Sequence, residues 1–192
     1  MNYKKAQISS QVFIYILAVV ILSITMLFGY NMIDRFRKNA EFSTINDFEN
    51  QIKLSVNELS NEYQSIKREK FILPQKIKYL CIADSNIKHN KNHIISRLAL
   101  YNPNIISSQL KIILEDSFES NILKNIFLTD SNEIIHSFFI NNTQIWEIDA
   151  PDCDDFSKDS CNIYFRCFEN TNNIEIIFYG AGNKVRIAKD TT

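Results

Sequence analysis

Four cysteines, a cluster of aspartates, one glycosylation sequon and three histidines are the side chains that bear on chemistry in this 192-residue sequence. The cysteines are Cys81, Cys153, Cys161 and Cys167. An even number permits a full set of disulfides in an oxidising compartment. Read as a strand, Asn162–Phe168 puts Cys161 and Cys167 on the face of Ile163 and Phe165, too far apart to join each other. Four cysteines allow three connectivities; one of them is Cys153–Cys161, closing a loop round an acidic segment, with Cys81–Cys167 linking two strands. Buried free thiols are the alternative, because Cys packs as a small apolar side chain. Spacings of 8 and 6 do not match the close pairs of a zinc site, so no metal is expected there.

Asp149, Asp152, Asp154, Asp155 and Asp159 surround Pro151. Carboxylates in number suit calcium, but the segment has no glycine and lacks the alternating aspartates of a calcium loop, so it reads as a solvated acidic loop. Asn141-Asn142-Thr143 is an N-glycosylation sequon with Asn141 as acceptor. His89 and His93 are four apart, the spacing that puts two imidazoles on one helix face. Asn90 and Asn92 make that stretch read as a loop instead. His136 has no Ser, Cys or Asp at a catalytic spacing. Phosphate-binding and dinucleotide-binding glycine motifs are absent, as is the paired-His zinc motif, so neither enzymatic activity nor a cofactor is expected. Trp146, between Ile145 and Ile148, reads as packing on a sheet face.

The elements that carry these residues divide the chain. Lysines and arginines number 21 and acids 22, for a net charge of −1, which excludes a general nucleic-acid footprint. The distribution is uneven. No acid precedes Asp34, and the only charged side chains before it are Lys4 and Lys5. From Ala6 to Ile33 no residue is charged, and Val12–Ile33 is mostly apolar. About 20 such residues cross a bilayer core as a helix. A buried helix of a small soluble domain is rarely apolar on every face. Lys4 and Lys5 on one side nearly balance Arg35, Arg37 and Lys38 on the other, so charge alone does not orient the span.

The residues ahead of the span are Lys4-Lys5-Ala6-Gln7-Ile8-Ser9-Ser10-Gln11. This order resembles the archaeal type IV prepilin signal, in which a short basic leader ending in a small residue is cut just before Gln. The resemblance implies cleavage between Ala6 and Gln7 by a membrane aspartic prepilin peptidase acting on the cytoplasmic side. The apolar helix then stays in the mature chain, with the leader inside the cell and the body outside. It also implies other pilin-like subunits as partners through the helix. Many members carry Glu at the fifth mature residue, where its charge meets a neighbouring subunit's new N-terminal ammonium. Here that position is Gln11, which hydrogen-bonds without charge. The run through Phe71-Ile72-Leu73-Pro74 to Lys78-Tyr79-Leu80-Cys81-Ile82-Ala83-Asp84 is also similar to small pilin-like proteins of archaea. An uncleaved single-pass anchor with an extracytoplasmic binding domain is the other reading.

Beyond the span, Phe42, Ile45, Phe48, Ile52, Val56, Leu59, Tyr63 and Ile66 recur every three or four residues and predict one apolar helix stripe. The expected organisation is a leader over 1–6, a membrane helix over 7–33, a helical stalk over 34–70 and a β-rich domain over 71–192. The helix runs to about Ile66 and Pro74 closes the helical region. A strand is expected over Lys76–Ala83, a polar loop over 84–92, and short helices over His93–Tyr101 and Ile105–Leu114. Strands follow over Asn125–Thr129, Ile134–Ile140, Thr143–Ile148, Asn162–Phe168, Ile174–Tyr179 and Lys184–Ala188, with Asn170–Asn173 as a hairpin turn. The fold class is α+β: a long helix packed on a mainly antiparallel sheet.

Overall fold

A computed structural model describes residues 7–100, 106–120, 123–146, 162–171 and 173–189, with side chains over 12–188 of these. The chain is an α+β protein with a long N-terminal helix, α1 (Gln7–Leu59), followed by two sheets and two shorter helices. It divides into two compact units, 1–43 and 44–192. The first contains the N-terminal part of α1. The second begins within the same helix.

In the second unit, the apolar stripe of α1 does what its spacing predicts. Ile45, Phe48, Ile52, Val56 and Leu59 are all buried. The helix then stops at Leu59, and Tyr63–Phe71 forms strand β1 rather than a continuation of the stalk to residue 70. The reason is tertiary. β1 pairs antiparallel with β7 (Ile174–Ala181), from Tyr63 opposite Ala181 to Phe71 opposite Ile174. Pairing over this length outweighs the helix propensity of Lys67-Arg68-Glu69-Lys70. Tyr63 and Ile66, the last members of the predicted stripe, are exposed on the strand. Pro74 therefore follows a strand, not a helix.

The remaining strands are β2 (Tyr79–Ala83), β3 (Ile126–Thr129), β4 (Ile134–Phe138), β5 (Thr143–Ile145), β6 (Phe165–Glu169) and β8 (Val185–Lys189). They form two four-stranded sheets, β1-β7-β8-β5 and β4-β3-β2-β6, where one meandering sheet was expected. Every pairing is antiparallel except β5 with β8. β6 and β7, which flank the expected turn over 170–173, are consequently not paired as a hairpin. β6 pairs with β2 in one sheet, and β7 pairs with β1 and β8 in the other, so this link crosses between sheets.

Two apolar cores result. The larger joins the α1 stripe to one face of each sheet: Phe71, Ile176, Phe178 and Ile187 from the first, Leu80, Ile82, Ile126 and Leu128 from the second. Phe48 sits at its centre, edge-on to Phe71 at 5.1 Å between ring centroids and to Phe138 at 6.2 Å. The smaller core covers the second sheet's other face. Helices α2 (Ile87–Ala99) and α3 (Ser108–Glu119) contribute Ile94, Leu98, Leu110, Leu114 and Phe118, and the sheet contributes Cys81, Ala83, Phe127 and Phe165. β2 thus alternates its side chains between two cores, which explains why Tyr-Leu-Cys-Ile-Ala is apolar at nearly every position.

α3 starts at a local signal. The Ser107 hydroxyl accepts the Leu110 N–H at 3.2 Å, a serine N-cap. α2 overrides its local signals. Residues 87–92 are helical despite the polar-loop reading, because Ile87, Ile94 and Leu98 seat the helix on the smaller core.

Candidate functional site

Among the described residues, a long run of exposed apolar side chains lies on α1 in the first unit. From Val12 to Ile33 the large apolar side chains are all exposed, between 47% for Val20 and 76% for Tyr30. Exposed apolar surface on this scale marks an interaction with lipid or with another apolar surface. The polar groups within it are satisfied locally. Ser23 donates its hydroxyl proton to the Val19 carbonyl at 2.8 Å, and Thr25 donates to the Leu22 carbonyl at 2.9 Å. Hydroxyls bonded in this way enter lipid without an orphaned donor. Past Ile33 the surface turns ionic. Lys38 pairs with Asp34 at 2.7 Å and Arg37 with Glu41 at 3.3 Å, both four residues apart along the helix. The helix is long and apolar enough to cross a membrane, which is compatible with a membrane anchor or a signal sequence.

Ala6 lies outside the described residues. Gln7 is the first residue of α1, and nothing is described of the Gln7 and Gln11 side chains.

In the second unit, α1 and the end of β1 enclose a groove of about 250 Å³. Phe48 and Phe71 form its apolar wall, and Thr44, Asp47, Gln51 and Lys70 supply polar groups. Lys70 is held at 2.9 Å from Glu175 on the neighbouring strand. The groove therefore offers an aromatic wall with charges of both signs near it.

A second polar cluster fastens α1 to the second sheet. Glu49 Oε2 lies 2.7 Å from His136 Nε2, and Glu49 Oε1 accepts from Lys53 Nζ at 2.5 Å. Burial pushes the Glu49 carboxyl up, but hydrogen bonds from Lys53 and His136, and their charges, outweigh it and hold the group below its ordinary value. Lys67, half-exposed on β1, donates to Glu58 at 2.6 Å and to Ser55 at 3.3 Å, with Glu69 at 2.8 Å. The hydrogen bonds to Glu58 and Glu69 raise the Lys67 ammonium above its usual range.

Of the cysteines, Cys81 and Cys167 form a disulfide across β2 and β6. Cys153 and Cys161 lie outside the described residues, as does the acidic segment with Asp149, Asp152, Asp154, Asp155 and Asp159. The premise that Ile163 and Phe165 share one strand face does not hold. Ile163 belongs to the larger core and Phe165 to the smaller, because Tyr164 between them has a φ of 62°. Asn141 is exposed at the β4–β5 turn, but the sequon's Thr143 is fully buried. Its hydroxyl accepts from Asn125 Nδ2 at 2.9 Å and donates to the Ile140 carbonyl at 3.4 Å.

His89 and His93 both lie on α2, not in a loop, while His136 is on β4. Among the described residues no group of three or more His, Cys, Asp or Glu is gathered as a metal site. Trp146 is fully buried on the first sheet's outer face, with the Arg186 guanidinium 4.2 Å from its ring centroid. Sequence reasoning did not anticipate the Glu49–His136 pair or the groove. The pair spans 87 residues of sequence, and no local pattern joins such positions.

No family model, curated protein or solved structure matches the chain.

Proposed function

We propose that this protein is a pilin-like structural subunit of an archaeal type IV filament or a related cell-surface assembly, held in the membrane by α1 before it assembles. The exposed apolar surface of Val12–Ile33 carries the reading. In lipid, helix association is driven by close packing between helices rather than by expulsion of water, so one apolar helix serves both as anchor and as assembly surface. The basic tip ending in Ala6-Gln7 supports cleavage there by a prepilin peptidase, and the ionic collar at Asp34–Glu41 suits the lipid–water boundary. A disulfide in the β-rich unit suits an extracytoplasmic location. The role is structural and non-catalytic.

Mass spectrometry of the native N-terminus tests this directly. A mature chain beginning at Gln7 supports the reading. A chain retaining Met1 or Asn2 overturns cleavage and favours the second reading, an uncleaved anchor that presents a binding domain. The groove between Phe48, Phe71, Asp47 and Lys70 is the observation favouring that alternative.

A further inference from the structure

The chain has three histidines, and the structure sets two of them on one helix. His89 and His93 are four residues apart on α2, and both are exposed. At that separation on a helix, side-chain roots stand about 5–6 Å apart on the same face. Two imidazole nitrogens so placed can reach a single ion at about 2.0–2.1 Å each. This is the geometry that the loop reading of residues 84–92 had excluded.

Each ring is also held. The His89 Nδ1 lies 2.7 Å from the Asn86 side-chain oxygen. An amide oxygen only accepts, so Nδ1 carries the proton in this contact and the Nε2 lone pair is left facing away. A hydrogen bond on one imidazole nitrogen is how proteins orient the other toward a metal. Asn86 is free for this task, since its side chain makes no capping bond to the helix. The His93 ring stacks on Tyr164, with centroids 4.7 Å apart and planes 17° from parallel. Stacking occupies a ring face and not the edge that carries the nitrogens, and His93 as a whole is exposed. Tyr164 is itself fixed, with its backbone N–H donated to the Asn162 side chain at 3.0 Å.

We propose that His89 and His93 form a two-imidazole site for a divalent transition-metal ion of the zinc, nickel or copper class. Neutral imidazole suits these ions, whereas magnesium and calcium need oxygen ligands. Two protein ligands leave the remaining positions to water or to a ligand from elsewhere, so the ion exchanges readily. Lys88 precedes the pair and Lys91 lies between its two members in sequence, and the helix N-terminus lies close by, so the local field opposes a cation and limits its affinity. Lys91 is partly neutralised by Glu119 at 3.7 Å.

The test is calorimetric titration of the full chain in detergent micelles with zinc chloride, and separately with magnesium chloride. One zinc per histidine pair is expected, with no magnesium response. His89→Gln and His93→Gln should each weaken zinc binding at least tenfold, and His136→Gln should leave it unchanged. Both substituted rings are exposed, so the variants should melt at the wild-type temperature without metal. Zinc should raise the melting temperature of the wild type and not of His93→Gln, by linkage. Asn86→Ala should weaken binding about tenfold, the effect of losing an orienting hydrogen bond. Absence of saturable zinc binding would overturn the proposal. So would zinc binding that survives unchanged in His89→Gln and His93→Gln, which would place the ion elsewhere.

Discussion

Cys81 and Cys167 face each other across the β2–β6 pair, and a disulfide joins them over 86 residues of sequence. β6 ends its sheet and is hydrogen-bonded to β2 alone among the described strands. The bond therefore ties an edge strand to the centre of the sheet. It does so on the face covered by α2 and α3. Closing so long a loop removes much entropy from the unfolded chain, and bridges of this kind typically contribute about 2–4 kcal/mol. The double variant Cys81→Ala, Cys167→Ala should lose about that much in urea unfolding. Trp146, the chain's single tryptophan, is fully buried and serves as the fluorescence probe. If the variant unfolds at the wild-type midpoint, the bond contributes nothing to holding β6.

The Glu49 carboxylate makes stability depend on acid. Its value in the folded protein is lowered, because hydrogen bonds from Lys53 and His136 outweigh the burial that would raise it. A group depressed on folding contributes fully above its unfolded value and loses the contribution as pH falls through the folded value. The loss should begin near the ordinary carboxylate value of 4.5 and finish below the folded one. Glu49→Gln keeps the shape and removes the charge. It should cost about 1–2 kcal/mol at neutral pH, the low end of the scale for hydrogen bonds to a charged group because the pair is partly exposed. It should also flatten the acid limb of a stability–pH profile. An unchanged acid limb in Glu49→Gln would assign that limb to other carboxylates.

Local periodicity made much of this architecture legible. The stripe Ile45, Phe48, Ile52, Val56 and Leu59 reads directly as a buried helix face, and the strands from Ile126 onward show β-branched and aromatic runs between polar turns. What was not legible depended on partners far away in sequence. Tyr63 and Ile66 continue the helical spacing, yet β7 claims them as a strand. Asn90 and Asn92 favour a loop, yet Ile94 and Leu98 hold the segment helical against the smaller core. Asn170–Asn173 has turn chemistry, but turn chemistry does not say which sheet the next strand enters. For the candidate sites the same division holds. The apolar span could be read from the sequence, whereas the Cys81–Cys167 pairing was only one of three connectivities open to it, and the groove and the Glu49–His136 pair arise only when α1 meets the sheets.

Two glycines should respond to substitution in opposite ways. A methyl group at Gly180 would lie 2.6 Å from the Glu62 carbonyl oxygen and 2.7 Å from that of Leu59. These oxygens belong to the backbone where α1 gives way to β1, so they cannot swing aside. Gly180→Ala should destabilise by about 1–3 kcal/mol, the cost of overpacking a close-packed site. Gly29 has nothing within 4 Å of the added carbon. Gly29→Ala should leave the fold intact and favour the helix by up to about 1 kcal/mol. Equal thermal stability of wild type and Gly180→Ala would show that the helix-to-strand junction relaxes more freely than its geometry implies.

The apolar span makes the most direct prediction about membranes. Leu, Ile, Phe and Val residues from Val12 to Ile33 together favour insertion by about 4–8 kcal/mol, taking each at its mid-membrane value. One arginine near the centre costs about 2.5–3.5 kcal/mol, too little to expel such a helix. Two should nearly cancel the gain. Val20 and Ile24 are both exposed on α1 and lie one turn apart, so Val20→Arg with Ile24→Arg puts both charges on one face, about 6 Å apart along the helix near the middle of the span. The double variant should move from the membrane pellet to the soluble fraction after alkaline extraction, while either single variant stays mostly in the pellet. The second unit should keep its fold, because neither residue belongs to its cores. If the double variant remains in the pellet as firmly as wild type, then something other than burial of Val12–Ile33 in lipid holds the protein there.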